Sequence, residues 1–162
     1  MSNVFAFNAK TQKEILLEQK KITLEDGSVY EGDFEDGEPN GKGKWYFADG
    51  SIYEGEVING KPNGQGKWIF NEDGVTVVAE GNYVDGNLHG KGKQTWNDNG
   101  DSYEGYFKNG EREGKGIFTW ADGKLYIGEF SNGRRNGKGK MTYADGRIEE
   151  GEWKDGELME KG

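Results

Sequence analysis

The chain has 162 residues, with 30 Asp and Glu against 21 Lys and Arg, and its net charge of −9 opposes long-range attraction to nucleic acid or anionic lipid. Only 31% of residues are apolar and 29 are glycine, too little aliphatic material for an ordinary compact core, while 13% aromatic content argues against disorder. The absence of cysteine excludes disulfides, thiolate metal sites and thiol nucleophiles.

Residues 1–19 form an N-terminal capping segment outside the pattern that governs the rest. Thr11-Gln12-Lys13-Glu14 matches a capping box and precedes Ile15, Leu16 and Leu17, which predicts a short helix over about residues 12–20. Its expected duty is to cover the first sheet edge or the start of a groove; a partner-binding helix is the alternative, and Val4, Phe5 and Phe7 suit either. The segment has no early basic cluster and no apolar run of signal-peptide length, and no window of the chain approaches a membrane span, so a soluble cytoplasmic protein is expected.

From residue 20 to 162 the chain repeats itself, which is read before anything else because it decides the architecture. Residues 20–29 fit the second half of a unit, with Ile22 and Leu24 in the slots later filled by Trp45 and Phe47. Full units then begin at Tyr30, Tyr53, Ala79, Tyr103 and Tyr126, at steps of 23 to 26 residues, and a truncated unit begins at Glu149. Every glycine except Gly162 takes a repeat position. Low-complexity glycine would not keep such a lattice.

Each unit reads as a β-hairpin. Tyr30, Gly32 and Phe34 alternate with Glu31 and Asp33, and Gly43, Trp45 and Phe47 alternate with Lys42, Lys44 and Tyr46, the period of two that strands require. Asp36 to Gly41 is dense in turn formers, and Ala48-Asp49-Gly50 turns the chain into the next unit. The expected fold is all-β: an elongated single-layer antiparallel meander, about 55 to 60 Å long at a strand spacing of about 4.8 Å. Alternation places most of the aromatic residues on one face. Glu31, Glu54, Glu80 and Glu104 take the other, with Lys42, Lys67, Lys91 and Lys115 expected beside them as cross-strand partners. Strand glycines such as Gly32 and Gly43 would let neighbouring rings lie flat over the backbone.

Tyr-x-Gly-x-Phe, then Asn/Asp-Gly, then Asn-Gly-x-Gly, then Tyr/Phe-Ala-Asp-Gly resembles the MORN repeat (membrane occupation and recognition nexus), over roughly residues 20–158. The resemblance implies a twisted single sheet bent into a half-pipe with aromatics on its concave side. It also implies roles as scaffold, partner-binding module or appendage of lipid kinases and methyltransferases, neither of whose catalytic domains fits in this chain. Departures cluster at the unit starting with Ala79, which lacks the leading Tyr and has Gln94 where Trp45 would stand; three extra residues precede it within Asn71–Val78. These predict either a bulge or bend, or a specificity pocket at a kink.

No catalytic constellation emerges. His89, the only histidine, stands in the slot of Asn40 and Asn63 in a turn, and Ser28, Ser51 and Ser102 follow turn glycines without a nucleophile context. Gly37-Glu38-Pro39-Asn40-Gly41-Lys42 is one residue short of a phosphate loop, and Asn97-Asp98-Asn99-Gly100 lacks calcium-loop spacing. We therefore expect no enzyme activity, no cofactor and no metal. The expected function is protein binding or scaffolding, with a helical or extended peptide lying along Tyr53, Trp68, Tyr83, Trp96, Tyr103, Phe107, Trp120 and Tyr126. The alternative is a peripheral membrane or phospholipid site at Arg134, Arg135, Lys138 and Lys140, opposed by the interleaving of Lys with Glu. Homodimerisation through a free sheet edge near Trp153 is compatible with both. Nucleic acid is not an expected partner.

Overall fold

The computed structural model describes residues 21–159, so the helix expected over about residues 12–20 lies outside the described residues. Thirteen antiparallel strands follow one another in chain order through one open sheet. They are β1 (Lys21–Thr23), β2 (Val29–Glu35), β3 (Glu38–Tyr46), β4 (Ile52–Ile58), β5 (Lys61–Glu72), β6 (Val75–Val84) and β7 (Asn87–Trp96). After these come β8 (Asp101–Lys108), β9 (Glu111–Thr119), β10 (Leu125–Ser131), β11 (Arg134–Thr142), β12 (Ile148–Lys154) and β13 (Glu157–Leu158). Among the described residues there is no helix. The architecture is the single-layer meander that period-two alternation predicts.

Two kinds of turn alternate along the chain. Within a unit the connection is two residues long and both have positive φ, as at Asp36 (51°) and Gly37 (81°), a type I′ geometry whose twist matches that of the strands. The turn predicted from Asp36 to Gly41 is therefore shorter: β3 begins at Glu38, and Pro39 already pairs with Phe34. Between units the turn is wider, except from β5 to β6, where Asp73 (50°) and Gly74 (85°) again make a two-residue turn. Phe47 donates its N–H to the Ser51 carbonyl at 2.9 Å, and the Asp49 carboxylate accepts from the N–H and hydroxyl of Ser51, which holds this exposed acid below its usual pKa.

Register is pinned by glycine. One row runs unbroken across eleven strands, Gly32–Gly43–Gly55–Gly66–Gly81–Gly92 and on through Gly105–Gly116–Gly128–Gly139–Gly151. Next to it each complete hairpin is bulged. Gly32 and Phe34 pair with Gly43 and Pro39, so that Asn40-Gly41-Lys42 stands opposite Asp33 alone. The Asp33 carboxylate closes the gap by accepting from the Lys42 N–H at 3.0 Å, and Glu129 does the same for Lys138 at 2.6 Å. A bulge recurring at one level adds twist at every unit.

The bulge expected at the extra residues of the central unit is absent. From Gly64–Tyr83 to Glu72–Val75, β5 and β6 pair without a shift, and the insertion simply lengthens them to 12 and 10 residues. Adding residues equally to both arms of a hairpin keeps every side chain on its face, so the sheet has no need to bend there.

The core is a face, not an interior. Tyr30, Tyr53, Tyr103 and Tyr126 are fully buried although no second layer covers them, because their rings lie on the glycine row. On the opposite face, Glu31–Lys44–Glu54–Lys67–Glu80–Lys93–Glu104 alternate in sign across seven strands. Alternation is thus confirmed for the glutamates and Lys67, but Lys44 and Lys93 fill the places expected for Lys42 and Lys91. The bulge moves those two on, to pair with Glu56 and Tyr106, and Lys115 pairs with Glu129.

Candidate functional site

The aromatic face is built in two tiers. In the lower tier the leading tyrosines lie over Gly43, Gly66, Gly116 and Gly139, and their hydroxyls donate to the carbonyls of Asp33, Glu56, Tyr106 and Glu129 at 2.7 to 3.0 Å. Phe34, Phe107 and Phe130 meet Tyr30, Tyr103 and Tyr126 edge-on at 5.1 to 5.2 Å, the preferred geometry of ring quadrupoles. Burial pushes the phenols of Tyr30, Tyr103 and Tyr126 up to about 12, and those of Tyr53 and Tyr83 upward as well. These rings are neutral packing elements.

The upper tier comes from the second strand of each hairpin. Phe47 stacks between Trp45 and Trp68 at 5.5 and 4.9 Å, and Phe118 lies between Trp96 and Trp120 at 5.4 and 4.5 Å. Of the eight expected contact residues, Tyr53, Tyr83, Tyr103, Phe107 and Tyr126 are no more than 3% exposed, so a ligand cannot lie against their faces. Trp68, Trp96 and Trp120 are half-buried and keep accessible surface. Phe47, Phe70 and Phe118 share that partial exposure, and the period of two could have separated them from the tyrosines only with knowledge of the glycine contacts.

At the central unit the face is hollowed. Ala79 stands where the other full units have Tyr, and Gln94 stands where two units have Trp, leaving a depression of about 730 Å³ bordered by Trp68, Phe70, Tyr83 and Leu88. Leu88 takes part of the missing ring's place, since a Cβ on Gly81 or Gly92 would lie 3.0 to 3.1 Å from its methyl groups. The Tyr83 hydroxyl turns back to the Ala79 carbonyl at 2.7 Å.

Toward the C-terminus the face becomes basic. The slot of Pro39, Pro62 and Leu88, opposite the buried ring or Val57, is filled by Arg112 and Arg135 in β9 and β11. Arg112 lies 5.5 to 5.8 Å from the centres of Trp96, Tyr103 and Phe118, and Arg135 lies 5.2 to 5.9 Å from those of Trp120, Tyr126 and Trp153. Each also donates to the next unit's turn: Arg112 to the Gly133 carbonyl through Nε (3.1 Å) and Nη2 (2.6 Å), Arg135 to Gly156 through Nη2 (2.5 Å). Burial lowers both guanidinium pKa values without endangering their charge. Lys124 and Arg147 lie over Trp120 and Tyr143 at 4.6 and 4.0 Å. Only Arg135 of these four was singled out from sequence; the slot of Pro39 was the available signal.

The four basic residues grouped by sequence at 134–140 do not share a surface. Arg135 is on the aromatic face, whereas Lys138 and Lys140 pair with Glu152 and Glu150, and Arg134 is exposed at the start of β11. Adjacent strand residues point to opposite faces, which separates Arg134 from Arg135. His89 accepts the Asn109 N–H on Nδ1 at 3.4 Å, as Asn63 accepts that of Asp85 at 3.0 Å, so it serves the turn contact of its slot. Among the described residues no three His, Asp or Glu side chains are grouped to hold a metal ion.

Such a sheet, in which each hairpin pairs only with its neighbours around a repeated glycine register, defines a β-hairpin repeat protein. The MORN repeat profile matches residues 30–52, 53–75, 80–101, 103–124, 126–146 and 150–162, and the chain belongs to the MORN repeat family. Repeats of this family are in general interaction modules for proteins or membranes and not enzymes. Comparison with curated proteins gives no match.

Proposed function

We propose that this chain is a non-catalytic binding module that holds a protein segment against the upper tier of its aromatic face. The observation that carries this is the half-buried series Trp68, Trp96, Phe118 and Trp120, apolar rings held rigidly by the tier below and still accessible. Rigid Trp side chains supply contact area at little entropic cost, the property of interface hot spots. Cytoplasmic location and the absence of enzyme activity belong to the same proposal and rest on the sequence.

Capture of partners by the intact chain, by Trp96→Ala and by Trp120→Ala tests it. A hot-spot ring cut to Ala costs about 2 kcal/mol or more, roughly thirtyfold in affinity, while circular dichroism stays that of the sheet. Unchanged capture by both folded variants would remove the aromatic face as the site. Tyr53 and Tyr103 are unsuitable for this purpose because their loss would unsettle the sheet itself.

The exposure of Arg147 and the partial exposure of Lys124 favour a second reading, contact with an anionic membrane surface. Flotation with phosphatidylserine vesicles at moderate salt separates it from the first. Pairing of two copies through a terminal edge is the third, and the terminal strands β1 and β13, of three and two residues, give it little backbone to use.

A further inference from the structure

The two variable positions of the aromatic face change character together along the sheet. Pro39, Pro62 and Leu88 give way to Arg112 and Arg135, and two residues before each unit Ser28 and Ser51 give way, past Val77 and Asp101, to Lys124 and Arg147. A chain of net charge −9 thereby gathers four cations over the rings of its C-terminal units and none at the equivalent N-terminal slots. Among the described residues no carboxylate hydrogen-bonds the Arg112 or Arg135 guanidinium, whose donors meet only turn carbonyls. The charge of Glu72 reaches Arg112 without a hydrogen bond to it, its carboxylate accepting from the Trp96 Nε1–H, and Glu149 accepts from the Tyr143 hydroxyl. A half-desolvated guanidinium fixed between rings is presented for a planar, charge-assisted contact.

Building on the binding role proposed above, we propose that the C-terminal half of this face is a site for an acidic peptide, with Arg112 and Arg135 each anchoring a carboxylate. The two arginines occupy the same slot two strands apart, which sets their anchors about 10 Å apart. Carboxylates seven residues apart on a helix, at about 10.5 Å, or three apart in a polyproline II segment, at about 9.3 Å, match that spacing and share one side of the peptide. The peptide's apolar residues then run on toward Trp68 and the hollow at Ala79. A flat anionic membrane fits less well, because Glu72 and Glu149 stand on the same face and the guanidiniums are sunk among the rings.

The test is selection of 16-residue peptides from a random displayed library on the full chain, followed by titration of the synthetic winners. Winners should be enriched in Asp or Glu pairs at the two spacings. Their affinity should fall at least tenfold for Arg112→Gln/Arg135→Gln and for Lys124→Gln/Arg147→Gln, recover only in part with Arg112→Lys/Arg135→Lys, which keeps the charge but not the planar fork, and weaken with added salt. The Lys124 and Arg147 pair keeps the test valid if the Arg112 pair fails to fold, since neither makes a turn contact of the kind Arg112 makes. Winners that need Trp120 but carry no acidic pairs would overturn this inference and leave the binding role standing. Absence of any winner dependent on Trp96 or Trp120 would overturn both, and phosphatidylserine vesicles that bind while peptides do not would replace the peptide by a membrane.

Discussion

The ring of Tyr103 lies so closely on Gly116 that a methyl group added to the glycine would fall within it. Gly105, on the paired strand, is as confined: an added Cβ would meet the Gly116 Cα at 2.5 Å and the Tyr103 hydroxyl at 2.7 Å. Gly105→Val and Gly116→Ala should each destabilise the chain by about 3 kcal/mol or more, since backbone and ring must both move. Chemical denaturation measures this. A loss of only about 0.5 kcal/mol, the size of an ordinary surface change, would refute the packing of ring on glycine.

The central unit has repacked around its missing tyrosine, so restoring the repeat pattern one residue at a time should fail. Ala79→Tyr alone is expected to lower stability, because Leu88 holds the space over Gly81 and Gly92. Combined with Leu88→Pro and Tyr83→Phe it should recover most of that loss. Contacting residues couple by about 0.5 to 3 kcal/mol, and a thermal-melt cycle over the variants would expose the coupling. Additive effects would mean that Leu88 does not stand in for the ring.

Alkaline titration should separate the buried phenols from the unfolded chain. With folded pKa values of about 12 for Tyr30, Tyr103 and Tyr126 against an ordinary value of 10, ionisation favours the unfolded state. Stability from this source is whole below pH 10 and is lost as pH rises from 10 to 12. Absorbance at about 295 nm, which reports phenolate, and circular dichroism should change together in that window. Phenolate formation by these three with the sheet intact would contradict their burial.

Damage at one end should stay local. Each hairpin pairs only with its neighbours, so Gly139→Ala, which places a methyl in the Tyr126 ring, should strip hydrogen-exchange protection from β10 to β13 while β4 to β7 retain theirs. Uniform loss across all strands would show a single cooperative unit instead.

Much of this was legible in the chain itself. The recurrence of Tyr-x-Gly and Asn-Gly-x-Gly determined the family, the strand count per unit, the meander order and the face of most aromatics, because period two and turn chemistry are local properties. Asp-Gly and Asn-Gly likewise marked where positive φ is needed, since few other residues enter it cheaply, but not which of them close hairpins: Asp36-Gly37 does, while Asn40-Gly41 lies within β3. Tertiary structure alone decided which rings remain accessible: Tyr53 and Trp68 share a face, yet one lies buried on glycine and the other rises above it. The bulge opposite Asp33 was equally hidden, and with it the lysines that complete the charge row. So was the meeting with the rings of Arg112 and Arg135, of which the sequence singles out only Arg135, for a phospholipid site. Those outcomes depend on how far a side chain reaches across neighbouring strands, a distance set by register and contact, which no spacing along a single strand records.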